Sequence, residues 1–144
     1  MIAVDSNLLV YAHREDSPWH SAATDLLRSL AEGREVWAIP WHCLHEFLAI
    51  VTHPRIYDPP TPLPRAIKQV DAWLKSPSLE VLAETGSYWQ TWRRLLEKGK
   101  VVGAQTHDAR VAAICRHHGV RELWTADRDF GRFRDLTVRN PLVE

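Results

Sequence analysis

The sequence predicts an α/β fold around a parallel sheet of about five strands. Short apolar runs recur at 2–4 (IAV), 36–39 (VWAI), 79–82 (LEVL), 122–125 (ELWT) and 136–139 (LTVR). Stretches with apolar residues three and four apart separate most of them, the spacing of one helix face. Strand and helix signals therefore alternate, which implies βαβ units with right-handed crossovers.

The run IAV ends in Asp5 and reads as a buried parallel strand. Leu8, Leu9 and Ala12 then follow at helical spacing. Pro18 opens a second helical stretch with Ala22, Ala23, Leu26, Leu27 and Leu30 on one side and Gly33 at its end. VWAI is the next strand, and Pro40 is placed to start a helix at its first turn. That helix carries Glu46, with Phe47 and Ala49 expected to face inward, and Pro54 stops it. The proline-rich HPRIYDPPTPLP is a connector within one domain, residues 1–144, because helical periodicity resumes at Ala66 and Ile67. LEVL is a third strand, and YWQTWRRLLEKG a helix ended by Gly99. THDARVAAICRHHG is a helix stopped by Gly119, ELWT a fourth strand and LTVR a weak fifth.

A chain of 144 residues, 45% hydrophobic, is long enough to bury a substantial core. Lys plus Arg and Asp plus Glu number 18 each, which excludes a uniformly basic nucleic-acid coat but not a local basic patch. No apolar run reaches the roughly 18 residues of a membrane span. The opening MIAVD lacks the basic and long apolar regions of a signal peptide. Cys43 and Cys115 match no metal or redox spacing and read as buried thiols of a reducing, cytoplasmic compartment. The seven Trp residues are expected mostly to fill the core.

The chemistry lies in acids at strand ends and helix starts. Ligands of open parallel sheets bind outside the carboxyl ends of the strands. Asp5 ends the first strand, Asp127 and Asp129 follow the fourth, Asp108 lies in the first turn of its helix and Glu46 sits mid-helix. Each also has an ordinary reading: Asp5 as a helix cap, Asp108 as a favourable charge at a helix start, Glu46 as a solvated face and the Asp127–Asp129 pair as a turn. Brought together, carboxylates about 5 Å apart repel by about 3 kcal/mol per pair at an effective dielectric near 20. Such a cluster must hold extra protons or a cation. An all-oxygen donor set favours Mg²⁺ or Mn²⁺ and suits phosphodiester chemistry.

The motifs MIAVDSNLLVYA, HEF, THDARVAA and WTADRDF resemble the four acidic motifs of PIN-domain ribonucleases. The similarity is greatest to the VapC toxins of bacterial VapBC toxin–antitoxin pairs, and it extends through THPR, the proline-rich connector and VRNPL. The resemblance implies a three-layer α/β/α sandwich and Mg²⁺- or Mn²⁺-dependent cleavage of RNA. It also implies a homodimer and a cognate VapB-type antitoxin covering the acidic pocket. It makes Asp5, Glu46, Asp108 and Asp127 the catalytic and metal-binding acids and Asp129 an auxiliary one. Asn7 and Thr125 would orient ligands or water from behind them. Gln105 and Thr106 receive no role.

Arg128 and Arg132 flank the last motif and are candidates for RNA phosphate or antitoxin. Arg93, Arg94, Lys98 and Lys100 are RNA candidates too, although Arg93 and Glu97 also fit a solvated i,i+4 pair. His42 and His45 beside Glu46 do not make a zinc motif, since HEFLA is not H-E-x-x-H. His107 adjoins Asp108 as a possible proton shuttle, and Pro59-x-x-Pro62 reads as a stiff loop. Two other functions compete. An aspartyl-nucleophile phosphotransferase would have D-x-D where this chain has Asn7. A non-catalytic PIN-like module that binds RNA or a partner would not need the full set of acids.

Overall fold

The structure, a computed structural model, describes residues 1–143. Five short strands, β1 (Ile2–Val4), β2 (Trp37–Pro40), β3 (Leu79–Leu82), β4 (Glu122–Trp124) and β5 (Val138–Arg139), form one sheet in the order β3-β2-β1-β4-β5. Every pairing is parallel. Helices α1 (Ser6–His13) and α2 (His20–Glu32) join β1 to β2, and α3 (Trp41–Val51) and α4 (Leu63–Leu74) join β2 to β3. The chain then returns over the sheet through α5 (Tyr88–Gly99) and α6 (Gln105–His117) to reach β4 beside β1. Right-handed crossovers in opposite directions put α1–α4 and α5–α6 on opposite faces, giving the three-layer α/β/α sandwich. Helix packing agrees, with α1 on α2 and α3, α3 on α4, and α5 on α6.

Strands buried on both faces read as continuous apolar runs, and Ala3, Val4, Trp37, Ala38 and Ile39 are all fully buried. On one face Phe47 of α3 meets Trp73 of α4 edge-on, with ring centroids 4.8 Å apart. On the other, α6 buries Ala109, Ala112 and Ala113, whose small side chains let the helix lie close to the sheet. Among the described residues no helix is long and apolar enough to cross a membrane. Cys43 and Cys115 are free, buried thiols.

Several local expectations shift. Strand β2 runs to Pro40, and Val36 is left exposed. Pro40, in an extended conformation, caps α3 from outside rather than occupying its first turn. Ala49 is exposed while Phe47 is buried, because the inner face of α3 follows Cys43, Leu44, Phe47 and Val51 at helical spacing. The left-handed residue closing α5 is Lys100, with φ 48°, not Gly99. Only two residues of LTVR pair as a strand. Trp37, Trp73 and Trp124 are buried, but Trp19, Trp41 and Trp89 are exposed, so the core accounts for fewer of the tryptophans than expected.

Candidate active site

Strand order reverses between β1 and β4, the position where an open α/β sheet leaves a crevice at its carboxyl edge. The register Val4↔Trp124 sets the next residues, Asp5 and Thr125, side by side there. The backbone N–H of Asp5 donates to the Trp124 carbonyl at 3.0 Å, continuing the pairing by one bond.

Asp5 is 4% exposed and surrounded by donors. Its Oδ1 accepts from the Ser6 backbone N–H at 2.7 Å, and the Cys43 thiol lies 3.5 Å from the same oxygen. Its Oδ2 accepts from the Thr125 hydroxyl at 2.8 Å and from Asn7 Nδ2 at 3.3 Å. Asp5 therefore does cap α1, and the capping geometry holds its other oxygen toward β4. Asn7 ties the two strand ends together. Its Nδ2 also donates to Thr125 Oγ1 at 3.0 Å, and its Oδ1 accepts from the Ala126 N–H at 3.1 Å. Thr125 Oγ1 further accepts from the Asp127 N–H at 3.0 Å, so one hydroxyl links the loop backbone to Asp5. Asp127 in turn caps the 3-10 turn Arg128–Arg132 by accepting from the Asp129 N–H at 2.8 Å.

The acids gather in two adjoining groups. One ligand atom each from Asp5, Cys43 and Glu46 lies within 4.8 Å of the others, and the same holds for Asp108, Asp127 and Asp129. The groups share one field. Burial pushes the Asp5 carboxyl up, its hydrogen bonds oppose this, and Asp127 adds to the rise. Burial followed by repulsion from Asp5 raises Glu46 to about 7, with Asp108 adding to it and Ser6 and Arg110 opposing. Asp108 is raised by burial and then by Asp127, Asp5 and Asp129, with Arg132 opposing. Asp129 is exposed at the outer edge of the crevice.

Some contributors were not singled out in the sequence. Cys43 lies three residues before Glu46, a spacing that puts both on one helix face. Its thiol is pushed up by burial and by Asp5 and Glu46, so it stays protonated and acts as a weak donor. Ser6 is buried against Asp5. Arg110 pairs with Glu84, which comes from the carboxyl end of β3, and no local sequence signal joins those two residues.

The remaining candidates divide. Arg132 donates to Gln105, which gives that residue a partner, and Thr106 Oγ1 bonds the Gly103 carbonyl at 2.8 Å. Arg128 belongs to the same 3-10 turn as Arg132. Arg93 is paired with Glu97 on α5 at 2.9 Å, and Arg94 acts on Asp135; neither is drawn into the acid groups. His42 Nε2 lies 3.6 Å from Glu46 and its ring stacks on His107, while His45 is exposed.

Comparison with known proteins matches this architecture. The PIN domain model matches residues 2–136. Ribonuclease VapC43 of Mycobacterium tuberculosis is 37% identical over 142 residues, 99% of this chain and 96% of the relative. Ribonuclease VapC33 of the same species is 31% identical over 144 residues, all of both chains. The chain belongs to the PIN-domain family and, within it, to the VapC ribonucleases. Among solved structures, VapBC2 from Rickettsia felis bound to a promoter DNA fragment superposes with TM-score 0.71 at 20% identity, covering 97% of this chain and 98% of that one. VapC20 of Mycobacterium tuberculosis, a Sarcin-Ricin loop cleaving toxin, gives TM-score 0.65 at 20% identity over 91% and 93% of the two chains.

Proposed function

We propose that this protein is a divalent-metal-dependent endoribonuclease and the toxin of a toxin–antitoxin pair. The observation that carries the reading is the convergence of Asp5, Glu46, Asp108, Asp127 and Asp129 on the β1/β4 crevice of a VapC-family chain. The donor set fits Mg²⁺ or Mn²⁺, since its ionisable ligands are carboxylates and Cys43 stays a protonated thiol. Burial first, and then repulsion between them, raises the Asp5, Glu46 and Asp108 carboxyls, which a bound cation would counter. A cation bound there supplies charge and Lewis acidity to a transferring phosphate.

The chain's own residues then have separable roles. Asp5 is an immobile ligand, fixed by Ser6, Thr125 and Asn7. Asp108 and Asp127 are the facing ligands, and Asp129 supports them from the outer edge. Glu46, at about 7, gains or loses a proton near neutral pH, which suits a group that must exchange one during hydrolysis. Arg128 and Arg132 lie where the RNA backbone enters, and Arg93 and Arg94 are peripheral. An antitoxin of the VapB type would cover the crevice, and the toxin would act as a cytoplasmic homodimer.

RNA cleavage assays with Mg²⁺ or Mn²⁺, with chelator, and with Asp5→Asn test this reading. Cleavage should require the metal and vanish in the variant. Activity that survives both chelation and the substitution would overturn it. A small neighbouring gene encoding a DNA-binding protein would support the toxin role.

A further inference from the structure

A cavity of about 280 Å³ opens between α5 and α6, lined by Glu84, Tyr88, Trp92, Thr106, His107 and Arg110. It lies beside the acids. His107 immediately precedes Asp108, its ring stacks on His42, and Arg110 is close enough to Glu46 to lower its pKa. The walls are aromatic and planar-polar. The Tyr88 and Trp92 rings stack at 6.0 Å and 21°, and the half-exposed Trp89 meets Trp92 edge-on at 5.6 Å. Arg110 and Glu84, paired to each other, offer donors and acceptors at the mouth. Trp92 also carries the one buried side-chain polar atom without a hydrogen-bond partner among the described residues, its indole Nε1. That atom is itself inaccessible, so the cavity meets the Trp92 ring and not its N–H.

We infer that this cavity is a nucleobase subsite that takes one unstacked base of a single-stranded RNA next to the cleaved phosphodiester. The inference rests on the ribonuclease reading and adds the form of the substrate. Aromatic platforms bind bases through their π-faces, and sequence-specific RNA recognition works mainly on splayed, single-stranded bases whose edges meet polar groups. Here Tyr88 and Trp92 supply the platform, and Arg110 and Glu84 the edge contacts. A duplex, whose bases are already stacked and paired, would be bound only through its backbone. The exposed aromatic edge also resembles a protein contact surface. The charged pair at the mouth and the position beside the acids favour RNA.

Fluorescence polarisation with labelled oligo(A), oligo(C), oligo(G) and oligo(U) and with an RNA duplex, all in chelator, tests the subsite without cleavage. The wild-type chain should prefer single strands to the duplex and rank the four homopolymers. Trp92→Ala should weaken single-strand binding roughly 5- to 150-fold, the worth of one stacked base, and flatten the ranking. Trp92→Phe, which keeps an aromatic face, should lose less affinity and keep the ranking. Unchanged affinity and ranking in folded Trp92→Leu and Arg110→Gln chains would overturn the inference. So would a change in sedimentation without a change in RNA binding, which would assign the surface to a second copy of the chain. Loss of the ribonuclease reading alone would appear differently, as cleavage insensitive to Asp5→Asn with base-dependent binding intact.

Discussion

Glu46→Gln should make the metal-free protein more stable while disabling it. Burial and repulsion from Asp5 raise the Glu46 pKa from the ordinary 4.5 to about 7. As pH rises from 4.5, the unfolded chain gives up this proton first, so folding loses stability through the interval, and the full loss is in place above about 7. At 1.36 kcal/mol per pH unit the difference corresponds to about 3 kcal/mol. The side chain is 39% exposed, so solvent screening reduces this to about 1–2 kcal/mol. The neutral amide removes the repulsion, and for a chain of this size the melting temperature should rise by about 3–6 °C at pH 8 in chelator. The gain should shrink toward nothing as the pH falls to 4.5. Saturating Mn²⁺ should reverse the order, because the wild type gains about 2.7 kcal/mol at a hundred times Kd and the variant gains less. Thermal melts at the two pH values, with chelator and with Mn²⁺, measure all four conditions. A variant that melts lower than wild type at pH 8 in chelator, or is stabilised equally at both pH values, would refute the electrostatic account.

Mn²⁺ affinity, followed by calorimetry, should strengthen as pH rises from 5.5 to 8, because Glu46, raised to about 7, must give up its proton to bind; affinity flat across that range would count against it as a ligand. Asp127→Asn should abolish metal-dependent cleavage and Asp129→Asn weaken it less, and turnover assays with the opposite order would exchange their roles. Asn7→Ala removes one donated and one accepted bond to the β4 end, at Thr125 and Ala126, and a donated bond to Asp5. It should cost about 1–3 kcal/mol in urea denaturation, whereas a loss under 0.5 kcal/mol would show that the strands hold register without it. Phe47→Ala, at a fully buried position against Trp73, should cost about 3–5 kcal/mol in the same assay.

The central strands β1, β2 and β4 were legible because they are largely buried and so announce themselves as apolar runs between helical periods. Strand ends were less legible. Thr125 looks like a strand residue, yet it leaves β4 and turns its hydroxyl to Asp5. The acids could be read singly, and the readings of Asp5 as a helix cap and of Asp127–Asp129 as a turn hold, whereas Glu46 is half-buried rather than on a solvated face. Asp5 is a helix cap and also the buried centre of the cluster, because one carboxylate has two oxygens to direct. Cys43 and Ser6 carried no recognisable signal, since a small buried residue looks the same beside an acid as in any core. The exposed tryptophans were misread for a related reason. Composition records how much aromatic surface a chain has, and only the packing of α5 on α6 decides that Trp89 and Trp92 stay near the surface.

Asp5 and Thr125, in direct contact, are 120 residues apart in the chain. At about 5–20 residues per second of synthesis, the first half of the acid site waits roughly 6–24 seconds for the second. During that interval β1 has its β2 neighbour but not β4, and no fragment lacking the last strands can assemble the crevice. The strand order therefore delays assembly of the acid site until synthesis is nearly finished.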